Sequence, residues 1–315
     1  MRLAGCLLAL VAAALLAVPG SAIAAPTVAG CPVFPSSNPW NQRVDKRPVD
    51  ARSAAIINRW ARGSAVHLDL GSTEKEYGIP YSIVPRGQQL LPLSFGVDGE
   101  DYRDESDRGP VPIPAGAPIE GGGDRHVITI QSGTCKLVEL YKAERVRSSN
   151  GKVVGWRAAA AARWSLRSNS LRPAGWTSAD AAGLPIFPGL LRYEEVAAGK
   201  IEHALRFTLP QARYAYIKPA RHCGPAGNTA STLPVYGMRF RLKRGFDTSR
   251  YTGAARVVAT AMQRYGLMFA DQGSAMYVTG TTDPRWADAI DQFRERPLDG
   301  RNFEVARTAT TTVCR

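Results

Sequence analysis

Asp124, His126, Glu139, Tyr141 and His203 are the residues of this 315-residue chain whose types and spacing invite chemistry. In an extended segment alternate side chains share a face. His126 therefore falls with Ile128 and Ile130, Glu139 with Cys135, Leu137 and Tyr141, and His203 with Leu205, Phe207 and Leu209. An ionisable group on an apolar face is costly to bury unless it meets a partner. Burial also moves a carboxyl pKa upward, toward what a general acid needs near neutral pH. These patterns predict that Asp124, His126, Glu139, His203 and His222 surround one concave surface, with Arg206 or Arg221 at its edge. In a glycoside hydrolase Asp124 and Glu139 would be the carboxylate pair. A polysaccharide lyase would instead use His126, His203 or Tyr141 as base, with Arg206 or Arg221 neutralising a uronate.

Loop residues extend the set. Arg221 and His222 precede Cys223 and a Gly/Pro-rich loop, the setting in which anion and sugar-acid sites are commonly built. Trp176, in residues 172–178, is either a sugar-stacking platform or a plug on the core. No cofactor is implied. A divalent metal such as zinc could take three imidazoles and a carboxylate from His67, His126, His203, His222, Asp69 and Asp124. No spacing resembles a compact zinc motif, and G-x-S-x-G, H-E-x-x-H and P-loop patterns are absent. Arg239, Arg241 and Lys243 alternate with Met238, Phe240 and Leu242 and read as a solvated strand face.

The elements that must position these residues are mostly strands. Residues 79–84, 89–95, 125–131, 135–143, 153–166, 202–209, 213–217 and 236–243 carry β patterning, with a hairpin through Ser132-Gly133-Thr134. Residues 267–270 and 275–279 read as a last hairpin. Helices are expected over 53–62, briefly over 178–182, over 254–265 closed by Gly266, and after Asp283-Pro284. Residues 98–123, acidic and proline-rich, read as a long structureless stretch or an exposed lid. Many short strands with few helices predict a mainly β chain, a β-sandwich or jelly roll with short peripheral helices.

The chain opens with Arg2, an apolar run from Cys6 to Val18 and small residues around Ala24, the pattern of a secretory signal peptide. Residues 1–24 are thus expected to be removed, leaving 25–315 as a single secreted β-rich domain, extracellular or periplasmic, with no transmembrane segment. Val28-Ala29-Gly30-Cys31 also matches a lipobox, a competing processing signal. An oxidising compartment predicts two disulfides, Cys31–Cys135 and Cys223–Cys314, each tying a poorly anchored segment to the scaffold. The net charge of +13 suits anionic walls or acidic polysaccharides, though the basic residues are spread along the chain. No aromatic-interleaved basic motif suggests nucleic acid. A monomer is expected.

Four segments carry a resemblance. They are Phe34-Pro35-Ser36-Ser37-Asn38-Pro39-Trp40-Asn41, Asp104-Glu105-Ser106-Asp107 with the following Pro-Ile-Pro, Gly123-Asp124-Arg125-His126-Val127, and Leu166-Arg167-Ser168-Asn169 running on to residues 176–185. With His203-Ala204-Leu205-Arg206-Phe207 and the stretch from Tyr265 to Asp271, the chain resembles a family of exported bacterial and fungal proteins. The resemblance implies export and carries no activity with it. Ser165 stands where similar proteins often have Asp. Compartment, fold class and strand-face carboxylates together lead to the expectation of a carbohydrate-active enzyme acting on a polysaccharide, acidic ones included. The alternative is a non-catalytic glycan- or wall-binding protein.

Overall fold

The Val127–Gln131 and Lys136–Tyr141 strands pair antiparallel as their patterning predicts, with Ile128 opposite Glu139. This computed structural model describes residues 25–71 and 77–314. The expected signal peptide, 1–24, lies outside the described residues. The hairpin is the centre of a four-stranded sheet, flanked by Ala160–Ser165 and, in parallel, by Tyr81–Val84. One face of that sheet sends Ile128, Ile130, Leu137 and Trp164 into the main core. The other sends Val127, Val138 and Leu140 into a smaller core with Ile113 and Trp156. Trp156 belongs to a three-stranded sheet of Leu93–Phe95, Val153–Ala158 and Glu144–Arg147. The fold is mainly β and sandwich-like.

Across the main core lies a six-stranded mixed sheet in the order Phe303–Ala306, Arg239–Leu242, Leu267–Gln272, Leu205–Leu209, Tyr277–Thr279, His67–Asp69. The Gly253–Arg264 helix buries Val258, Ala261 and Met262 of a stripe expected to include Ala254 and Val257, which are half-buried, and it also buries Ala255 and Ala259; Gly266 follows at φ +75°. The helix after Asp283-Pro284 forms over Ala287–Glu295, preceded by a turn in which Asp283 accepts from the Arg285 amide. Both predicted disulfides are present, Cys31–Cys135 and Cys223–Cys314. The Cys31 sulfur is therefore bonded to Cys135 rather than free to carry a lipid. Among the described residues, no helix is long and apolar enough to cross a membrane.

Several expectations are corrected. Residues 267–279 do not form a hairpin: Leu205–Leu209 lies between the two strands, parallel to one and antiparallel to the other. The 153–166 run is two strands in different sheets, because the buried alanines from Ala158 to Ala162 let the chain pass between layers. Residues 178–182 form turns, since Ser178 Oγ donates to the carbonyls of Asp180 and Leu184 instead of capping a helix. Residues 98–123 are a strap rather than a lid, held by buried Val111 and Ile113 and by Arg172 bonded to Asp107 and the Glu105 carbonyl. Arg239 and Arg241 are buried, not solvated. The helix and the segment before residue 50 cover their face, and Arg241 pairs with Glu304.

Candidate functional site

A bulge aims the main acidic group of the site. Along the parallel pairing, Phe207 lies beside Phe269, but Thr208 lies beside Asp271, so Ala270 is an extra residue. Strict alternation would place Asp271 with Phe269, in the core. The extra residue transfers it to the face of Arg206 and Thr208, as bulges beside sites commonly do. There the Arg206 guanidinium holds Asp180 through Nε at 2.8 Å and Nη2 at 2.9 Å, and Thr279 through Nη1. It reaches Asp271 at 3.4 Å. Asp180 is wholly buried, whereas the Asp271 side chain keeps 25% of its surface.

That exposed quarter opens into a cleft of about 230 Å³ that also contains Asp124, Tyr102, Tyr141 and His222. Ala181, His222 and Gln272 are shared with an adjoining compartment of about 670 Å³, walled by Tyr214, Tyr216, Tyr236, Arg221 and the Cys223–Cys314 bridge. The two form one groove. Burial, then the neighbouring Asp180 carboxyl, pushes the Asp271 pKa well above the usual carboxylate range. The Tyr141 hydroxyl is also pushed up, by burial and by Asp124 and Glu100. The cleft thus offers a carboxyl disposed to hold its proton and a second carboxyl, Asp124, on the same small space. Asp69 lies within the electrostatic reach of Asp124, and burial raises it to about 6.

The structure brings Asp124, His222 and Arg221 to the groove, with Arg206 directly behind Asp271. It does not bring Glu139, His126 or His203 there. Glu139 is fully buried, accepting from the Ile186 amide at 3.0 Å and the Phe187 amide at 2.8 Å. His203 is fully buried between Glu195 and Arg192, and its Nδ1 meets the Ala204 carbonyl. His126 bonds Glu120 at 2.5 Å and the Ala179 carbonyl at 3.0 Å. Each found a local partner, which satisfies the cost of burial without a shared site. Trp176 is half-buried, set beside the Arg172 guanidinium at 5.4 Å, and is not among the residues that line the groove. Among the described residues, no group of three or more His, Cys, Asp or Glu is arranged to hold a metal. Sequence reasoning missed Asp180 and Asp271 as site residues. The available signal was a carboxylate closing the apolar run 267–270.

Two of the displaced residues make pH predictions. Burial raises Glu139 to about 7 from 4.5, so the folded chain keeps a proton that the unfolded chain loses. Stability from this source is complete below pH 4.5 and lost as pH rises through about 7. Glu139→Gln keeps an acceptor for the two amides and should flatten that slope in urea midpoints measured from pH 4 to 8. A slope that persists unchanged in the variant would belong to another group.

For His126, burial opposes protonation, but Glu120 outweighs it and raises the pKa to about 9 from 6.5. Its contribution is complete below pH 6.5 and lost as pH rises through about 9, a difference of about 3 kcal/mol. Glu120 is lowered by the same interaction, so the two shifts are not additive. His126→Gln should be less stable at pH 7 and lack the alkaline decline. An unchanged decline in the variant would assign it to another group.

Searches against family models, curated proteins and solved structures return no match to this chain, so the groove is the ground on which a function is argued.

Proposed function

We propose that the protein is an extracellular glycoside hydrolase in which Asp271 protonates the glycosidic oxygen and Asp124 serves as the second carboxylate. The observation that carries this reading is Asp271 itself: one face open to the cleft, the other pressed against Asp180 and Arg206. A general acid must be protonated at working pH and must reach substrate, and this placement supplies both. The carboxylate pair is thereby reassigned from Asp124 and Glu139 to Asp124 and Asp271. A lyase fits less well. Arg206 is committed to Asp180 and Thr279, and the raised pKa of Tyr141 makes its hydroxyl a poor base.

The test is incubation of secreted protein with a polysaccharide panel, reading new reducing ends and anomeric proton signals. Reducing ends without unsaturated product support hydrolysis. Unsaturated uronates would establish the lyase. Retardation in affinity electrophoresis with no cleavage of any polymer would favour the glycan-binding reading, in which the larger compartment only holds a chain.

A further inference from the structure

A second cavity, unconnected with the groove residues, lies beside the Gly253–Arg264 helix. It measures about 380 Å³, and Arg43, Lys200, Arg256 and Arg264 line it together with Glu202, Thr260 and Tyr265. Two of these cations have near partners: Arg43 pairs with Asp45 and Lys200 with Glu202. Arg256 and Arg264 form no salt bridge with a carboxylate among the described residues, although Asp247 feels the charge of Arg256. Arg264 also faces the last carbonyls of its helix, so Arg256 is the less committed of the two.

An independent observation deepens the positive field. Arg239 is buried behind Tyr265, donating to the Tyr265 carbonyl at 2.6 Å and the Pro39 carbonyl at 2.7 Å. It meets no carboxylate among the described residues, and its Nε has no partner. A guanidinium stays charged even when burial lowers its pKa. An uncompensated buried cation projects its field further than an exposed one, because less solvent screens it. On a chain of net charge +13, this is a place where the positive charge is gathered rather than spread.

We propose that this cavity binds a linear anionic glycopolymer, whose repeated carboxylate or phosphodiester groups engage Arg256, Arg264, Arg43 and Lys200. Arg256 and Arg264 stand eight residues apart on one helix, about 12 Å along its axis. A polymer carrying an anion on every unit can engage arginines spread along this length together with Arg43 and Lys200. This polymer is not the substrate of the acidic groove, so the proposal does not depend on the hydrolytic reading. The site would instead hold the protein on an anionic matrix.

The experiment is titration calorimetry with polygalacturonate and, separately, polyglycerol phosphate, on native protein and on an Arg256→Gln/Arg264→Gln variant. A Lys152→Gln/Arg157→Gln control removes two exposed cations, one in the Val153–Ala158 strand and one just before it. Native protein should bind at least one polymer, and the stronger arm identifies the anion. The helix variant should weaken that binding by about tenfold or more. It should also flatten the log–log salt dependence by about one for each arginine removed. The control should bind like the native protein, and all three should share one thermal midpoint. Absence of binding in both arms overturns the proposal. Equal weakening by control and helix variants also overturns it, since the attraction would then be diffuse.

Discussion

Asp271→Asn should reduce hydrolytic turnover by about 10²–10⁴-fold while leaving the fold intact. The amide matches the carboxyl in size and can still meet Arg206, but it has no proton to deliver. The amide can still donate to Asp180, as the protonated acid does, so the thermal midpoint should stay level. The sign of the pH dependence follows from the same contact. On the proposed mechanism activity needs protonated Asp271, so it should decline as pH rises through a value well above the usual carboxylate range. Initial rates on the cleaved polymer from pH 4 to 9 would check both statements. Full turnover in the variant would remove Asp271 from the chemistry.

Arg206→Met should destabilise the chain by about 3–5 kcal/mol, the range for removing one partner of a buried ion pair. Asp180 has no exposed surface, and the double contact from Arg206 is what compensates its charge. The loss should appear as a lower urea midpoint at unchanged slope. Pairing the substitution with Asp180→Asn tests the cause, because the stranded charge disappears with its partner. The double variant should recover much of the loss. A single variant within about 1 kcal/mol of native would mean that water or another group compensates Asp180.

The parts of this molecule that were legible in the sequence are those governed by local period. The 127–141 hairpin and the amphipathic helix ending before Gly266 follow from alternation and stripe, and both cysteine pairings from the compartment and from which segments needed anchoring. The burial of Glu139 and His203 was legible too; their partners were not. A backbone amide from the 186–187 turn and a carboxylate from the Tyr193–Ala197 helix are brought in by tertiary packing, which no spacing near Glu139 or His203 encodes. Asp271 was hidden for a different reason. Period-2 reading assigns it to the core face, and only the inserted Ala270 reverses that assignment. The apparent hairpin at 267–279 failed because adjacency in sequence suggested pairing, while Leu205–Leu209 supplied hydrogen bonds to both strands.

The outer wall of the larger compartment has little holding it. Among the described residues Thr311–Val313 pairs only with Ala215–Ile217, Val313 is 57% exposed, and Cys314 is joined to Cys223 beside His222. Such a segment is a unit of local opening, whose free energy can be far below that of the six-stranded sheet. On reduction, the amides of Thr311–Val313 and Ala215–Ile217 should be the first to exchange with solvent deuterium, and a protease should trim this tail before it cuts elsewhere. A glycan seated against Thr312 and Val313 would oppose that opening by mass action. Occupancy of the groove and the oxidation state of one cysteine pair would then be recorded by the same few amide hydrogens.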